Sequence, residues 1–218
     1  MTFSLIGRCP RTGQIGAAVA TSSIAVGARC TFAAAGVGAV LTQHRTDPRL
    51  GPRGLALLRS GCAPPETIDA LVASTPHAHW RQLAVMDAAG RGAVYSGAST
   101  KPEKGEAAAQ DVCAIGNILA SAGVPSAMLR AFQTDADAPL AERLVSALEA
   151  GLAAGGEHVP VRSAHLLVVE RESFPLIDLR VDWHNAPIAE LRKLWQLYAP
   201  QRQDYLLRAL DPDNPAVT

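Results

Sequence analysis

Apolar and polar positions alternate from the first residues of the chain. Thr2, Ser4, Ile6 and Arg8 interleave with Phe3, Leu5, Gly7 and Cys9, and this period of two predicts a strand. Pro10-Arg11-Thr12-Gly13 is a turn signal, and Gln14 to Ala20, mostly small or apolar, predicts the second strand of a hairpin. Phe32 to Gln43 predicts another hairpin or a bent strand, with Gly36 and Gly38 permitting a bulge or close approach. Two helices are expected next: 52–60, stopped by Gly61, and 65–73, opened by Pro65 with Ile68, Leu71 and Val72 on one face. Segments 81–86 and 93–96 predict a hairpin. Residues 97–110, among them Lys101-Pro102-Glu103-Lys104, are polar and rich in small side chains, and predict a long loop, a lid or a disordered tip. Val112 to Ile115 predicts a strand running into Gly116-Asn117. Helical spacing returns at 126–132 and 139–150, strands at 164–169 and 176–181, and a last helix from Pro187. Pro200 interrupts that helix, and 211–218 reads as a disordered tail.

Hairpins separated by pairs of helices suit an α+β fold. The expected architecture is a four-layer α-β-β-α sandwich of two antiparallel sheets, as one domain over residues 1–210 without internal repeats.

Composition narrows the functional classes. The chain has 218 residues, 48% of them hydrophobic, which is ample for a core. Its 20 basic and 20 acidic residues cancel, so there is no electrostatic case for nucleic acid or an acidic membrane surface. No apolar run approaches the roughly 18 residues of a membrane span, and Arg8, Pro10 and Arg11 interrupt any secretory leader, so the cytoplasm is the expected compartment. Cys9, Cys30, Cys62 and Cys113 lack C-x-x-C spacing and read as reduced core or near-core thiols, with Cys113 a weak candidate nucleophile. No metal is expected. His77 and His79 lack a completing ligand, and a solvated strand face explains Asp178, Asp182 and His184 as well as a site does. No cofactor is expected either: Gly36 and Gly38 lack the third glycine and following helix of a dinucleotide fingerprint.

The residue pattern that points to chemistry is at the start. Thr2 is small enough for methionine aminopeptidase to remove Met1, which would give Thr2 a free α-amine. A hydroxyl and an amine on one residue form a nucleophile–base unit, and an α-amine titrates near pH 7.7–8.0, roughly where a base is useful. Polar residues at strand ends supply possible partners. Asn117, with Gln43 or a backbone N–H, is the candidate pair of oxyanion donors; Ser22 or Ser23 could orient the amine; His44 or Arg45 could bind a substrate carboxylate.

Several segments together resemble a known family: Met1-Thr2-Phe3-Ser4, Gly36-Val37-Gly38-Ala39-Val40 with Thr42-Gln43, Gly51-Pro52-Arg53-Gly54-Leu55, Arg81-Gln82, Gly116-Asn117-Ile118-Leu119, Leu140-Ala141-Glu142-Arg143-Leu144 and Leu166-Leu167-Val168-Val169. The chain is similar to the bacterial Ntn-hydrolase-like proteins of domain of unknown function 1028, to about residue 195. The resemblance implies the sandwich fold strongly and chemistry only weakly, because fold does not deliver function. It also implies a Lys or His where this chain has Ser22.

Two readings result. One is an amidohydrolase cleaving a small amide, ureido or lactam-type C–N bond, with Thr2 as nucleophile. The other is a catalytically inactive binding or scaffold protein of the same fold, in which Thr2 is an ordinary strand residue. A small-molecule substrate or ligand and a homodimer or higher homo-oligomer are the expected partners.

Overall fold

The alternation at the start of the chain becomes a central strand with two different faces. The computed structural model describes residues 1–101 and 103–214. Pro102 of the expected loop and residues 215–218 of the expected tail lie outside the described residues.

The larger sheet contains β1 (Thr2–Arg8), β2 (Ile15–Thr21), β7 (Gly105–Ala109), β8 (Val112–Asn117), β9 (Ser163–Val169) and β10 (Ile177–Val181), in the order β10-β9-β2-β1-β8-β7. The smaller contains β3 (Thr31–Ala34), β4 (Gly38–Gln43), β5 (Gln82–Asp87) and β6 (Gly92–Ser96), in chain order. All neighbours pair antiparallel.

Odd residues of β1 face one way: Phe3 and Leu5 pack with Met128 and Phe132 of α3 (Val124–Thr134) and Leu144 and Leu148 of α4 (Leu140–Ala153). Ile6, from the even face, packs with Ile115 and Ala17 against Ala39, Leu41, Ala84 and Met86 of the smaller sheet. The far face of that sheet, with Val40, Leu83 and Val85, meets Leu50 and Leu58 of α1 (Leu50–Arg59) and Ile68 and Leu71 of α2 (Pro64–Ala73). The result is the expected α-β-β-α sandwich, with β1 near the middle of its larger sheet.

The helix boundaries follow local signals. Gly61 sits at φ 95° just past α1, and the Gly61 and Cys62 N–H groups bond back to Leu58 O and Leu57 O. At α2, Pro64 and Pro65 occupy the first turn, where a missing N–H costs nothing, and Glu66 accepts the Ala63 N–H at 2.8 Å.

Two elements differ from expectation. Residues 105–109 form strand β7 rather than a long loop, joined to β8 by a tight turn with Asp111 at φ 65°. Its Gly-Glu-Ala-Ala-Ala sequence is a weak strand former on its own, and pairing with buried β8 overrides that preference. After α5 (Pro187–Tyr198), a further helix, α6 (Arg202–Leu210), restarts beyond Pro200. Among the described residues no helix is long and apolar enough to cross a membrane.

Candidate active site

The apolar filling between the sheets gives way to polar side chains at one end. Even positions of β1 set the direction: Ile6 lies in the apolar layer, while Ser4 and Thr2 continue toward that end on the same face. In register, Thr2 stands opposite Asn117 of β8, and Thr21 of β2 stands opposite Ser163 of β9. Because Phe3 pairs with Ala20, Thr2 and Thr21 are the next step along β1 and β2. Asn117, Thr2, Thr21 and Ser163 therefore form one row across four strands, and all four are buried.

Thr2, Thr21 and Ser163 are tied together by hydrogen bonds that include Met1 and Ser23. The Thr2 and Thr21 hydroxyl oxygens are 3.4 Å apart, and both hydroxyls donate to the Met1 carbonyl oxygen. Thr21 Oγ1 also lies 3.3 Å from Ser23 Oγ, which accepts from the Arg29 guanidinium at 2.8 Å. Ser163 Oγ donates to Ser23 O at 2.7 Å and accepts the Val26 N–H at 3.2 Å, fixing the loop after β2.

One turn of pleat deeper, an amide lattice links the two sheets. Gln82 Oε1 accepts from Gln43 Nε2 at 2.8 Å and from Asn117 Nδ2 at 2.9 Å. Gln82 Nε2 donates to Ser96 Oγ and to Gly116 O, both at 2.9 Å. Ser4 Oγ donates to Gln43 Oε1 at 2.7 Å. Gln43, Gln82 and Asn117 are all fully buried, so the lattice is rigid as well as satisfied, with one exception: Asn117 Oδ1 has no partner. One N–H of each of the two expected oxyanion donors thus points to Gln82, and the end of Asn117 left open is its acceptor oxygen.

The strands carrying these side chains end abruptly. His44 and Arg45 follow β4 at φ 50° and 42°, and Ile118 follows β8 at φ 53°. A left-handed β-branched residue costs on the order of 1–2 kcal/mol, and such strain persists only where packing over-determines it. His44 is buried, its Nδ1 donating to Trp80 O at 2.8 Å and its ring stacked on Trp80. Its Nε2 faces the Lys101 N–H at 3.5 Å. Burial pushes the His44 pKa down, the hydrogen bond to Trp80 O opposes it, and the positive charges of the N-terminus, Arg45 and Lys101 push it further down. Arg45 is exposed, its guanidinium 4.8 Å over the Trp80 ring.

A carboxylate not singled out in the sequence completes the surroundings. Glu157 is 7% exposed, and its Oε2 accepts the Ser22 N–H at 3.0 Å. The charge of the Met1 α-amine acts on the same carboxyl. Its Oε1 has no partner. Burial pushes the Glu157 pKa up, against the pull of hydrogen bonding from Ser22 and the N-terminal charge. Gly155 and Gly156, at φ 121° and 56°, turn the chain after α4, and a bridge between Leu119 and Glu157 sets this carboxylate beside the end of β8.

A profile of the family of unknown function DUF1028 matches residues 2–191. The chain belongs to this family. It is similar to the crystal structure of SPO2555 from Silicibacter pomeroyi, assigned to DUF1028, at 32% identity and TM-score 0.84, over 91% of this chain and 89% of that one. Anbu, the ancestral beta-subunit from Yersinia bercovieri, matches at 12% identity and TM-score 0.40 over 99% of each chain. No curated protein matches.

In this DUF1028 chain the structure brings Thr2, Asn117, Gln43 and Ser23 to one end of the sandwich, with Ser22 presenting its backbone N–H to Glu157. His44 and Arg45 turn toward Trp80 instead of toward the row. Cys113 lies in the apolar layer, and burial pushes its thiol up to about 12, which removes it as a nucleophile. Asp178 is held by His165 Nε2 at 2.9 Å and by Arg180, while His184 Nδ1 accepts the Ala186 N–H, so the two serve separate local structures. Thr21, Gln82 and Glu157 were missed. Thr21 carried a signal, since it lies two residues from Ser23 on the strand opposite Thr2.

Proposed function

We propose that this protein is an N-terminal-nucleophile amidohydrolase that cleaves a C–N bond of a small amide, ureido or lactam-type substrate. The observation that supports it most is the polar row. A threonine that removal of Met1 would make N-terminal sits among buried hydroxyl, amide and carboxyl groups, at an end of the inter-sheet layer where polar side chains replace apolar ones.

In this reading the Thr2 hydroxyl attacks the substrate carbonyl and passes its proton to the Thr2 α-amine. The amine returns that proton to the leaving nitrogen as the C–N bond breaks. Water, deprotonated by the same amine, then releases the acyl group from Thr2. The second N–H of Asn117 and that of Gln43 serve as oxyanion donors, held in direction by Gln82. Thr21, with Ser23 behind it, orients the amine. Met1 carbonyl accepts from both threonine hydroxyls, so its departure frees them together. The cytoplasm, where methionine aminopeptidase acts, is the compartment this reading requires, and a homo-oligomer is its expected assembly.

A second reading has its own observation. With Met1 in place Thr2 is only 6% exposed and its hydroxyl is occupied, which suits an inactive binding or scaffold protein. Turnover of a panel of small amides and ureides by protein beginning at Thr2, its Thr2→Ala variant and protein retaining Met1 separates the two. Hydrolysis by the first alone supports catalysis; no hydrolysis by any, with ligand binding kept, supports the second reading.

A further inference from the structure

Two buried acceptor atoms on residues flanking the start of β1 have no donor: Oδ1 of Asn117, the β8 residue paired with Thr2, and Oε1 of Glu157, whose other carboxyl oxygen accepts the N–H of Ser22, the residue after Thr21. A buried acceptor without a donor costs about 1–3 kcal/mol, and more when it is charged. Two such atoms, one on each side of the start of β1, suit a group rich in N–H. With Met1 attached, Thr2 presents a single peptide N–H. Without it, Thr2 carries an ammonium with three donors.

We infer that Glu157 is a positioning residue that holds the α-amine of mature Thr2, together with Asn117 Oδ1 and Thr21 Oγ1. This rests on the reading that Met1 is removed. Three acceptors equal in number the three N–H donors of an ammonium, and bonding to all three keeps the amine from rotating away from its own hydroxyl. The turn at Gly155-Gly156 and the Leu119–Glu157 bridge deliver the carboxylate to this point from outside the sheet.

The neighbouring charges leave this role to Glu157. The Met1 α-amine, one residue before Thr2, acts on His44, whose pKa burial pushes down, and on Cys30, whose thiol burial pushes up. Arg29 lies beside Cys30, and Arg45 and Lys101 lie beside His44; all are cations that would repel an ammonium. Glu157 is a carboxylate among the groups on which the Met1 α-amine acts. Its charge favours the ammonium, so it raises the pH at which the amine becomes a free base.

The test titrates the amine directly. Full-length protein beginning at Thr2 is released from a fusion by a protease that cuts before Thr2. The rate of N-terminal acetylation by acetic anhydride is then followed against pH by peptide mass spectrometry. In Glu157→Gln, which keeps the acceptor for Ser22 N–H, the amine is expected to titrate about one pH unit lower than in the unaltered protein. The exposed-surface control Asp69→Asn is expected to leave it unchanged. If Glu157→Gln does not fold, Glu157→Asp, one methylene shorter, is expected to move the titration in the same direction. Where turnover is found, the acid limb of kcat moves with the amine while KM is held. Identical titration in the unaltered and Glu157 proteins overturns the inference even in an active enzyme. A lowered titration in a protein without turnover supports the inference while counting against hydrolysis.

Discussion

The hydroxyl oxygens of Thr2 and Thr21 stand 3.4 Å apart on neighbouring strands, and both hydroxyls donate to the same carbonyl oxygen, that of Met1. The pair is therefore already assembled before any processing. Thr21→Val keeps the shape of the side chain and removes its hydroxyl. In protein beginning at Thr2, it is expected to lower kcat by about 10-fold to 100-fold, less than the roughly 10²–10⁴ of a full acid–base contribution because the amine itself remains, with little change in melting temperature. Steady-state kinetics and a thermal melt check both halves.

Asn117 offers different ends to different partners. Asn117→Asp keeps an acceptor beside Thr2 and loses the N–H groups, and Asn117→Ala loses both. Each is expected to lower kcat by about 10²–10³, as for removal of an oxyanion donor. If Asn117 is only structural, both variants unfold at lower temperature and the remaining folded protein turns over normally.

Gln82 is the centre of the amide lattice, bonded to Gln43, Asn117, Ser96 and the Gly116 carbonyl. Gln82→Ala leaves buried donors and acceptors unpaired on both sheets. The expected loss is about 3 kcal/mol of stability, since each unpaired group costs about 1–3 kcal/mol. For a chain of this size, that lowers the melting temperature by about 6–12 °C. Gln82→Glu is expected to retain more, because it can still accept from Gln43 and Asn117.

His44 gives a pH dependence with a definite sign. Its folded pKa is depressed, so the native state binds fewer protons than the unfolded state, whose histidine titrates near ~6.5. The stability it contributes is present above that value and is lost as pH falls below it. His44→Asn, which tolerates the left-handed backbone, is expected to flatten the fall in melting temperature between about pH 6.5 and 5.

Asp178 acts further into the acid range. The hydrogen bond from His165, and then that from Arg180, hold its carboxyl well below the usual carboxylate range. Its contribution is present above the unfolded value of about 3.9 and is lost as pH falls further. Asp178→Asn is expected to melt a few degrees lower at pH 7, with the gap to the unaltered protein narrowing below about pH 4. A gap that is constant down to pH 3 would mean that the ion pair contributes nothing.

The fold was legible because burial patterns are periodic. Thr2, Ser4 and Ile6 alternate with Phe3 and Leu5 in the sequence, and they do so in space, with one face to the smaller sheet and one to α3 and α4. Strand ends marked by polar residues, Gln43 and Asn117, were also readable, because polar side chains that close an apolar strand have to find partners. Glu157 was not. It follows two glycines after a helix, and there a carboxylate reads as solvated; its burial depends on the contact with Leu119, a residue distant in sequence. Gln82 opened a strand like any edge polar residue, and only the pairing of two sheets shows it as a hub. Strand β7 was lost among small residues with little preference of their own, and α6 because its buried face is slight: none of its residues is fully buried.

The most direct test is a peptide-resolved mass spectrum of the N-terminus, from protein made with its natural start and incubated with a β-lactone electrophile. The expected spectrum shows a chain that begins at Thr2 and carries one acyl group on the Thr2 hydroxyl, absent from protein in which Met1 is deliberately retained. A chain that keeps Met1, or a free Thr2 that stays unmodified while the protein is folded, would contradict the account of Thr2 as a nucleophile.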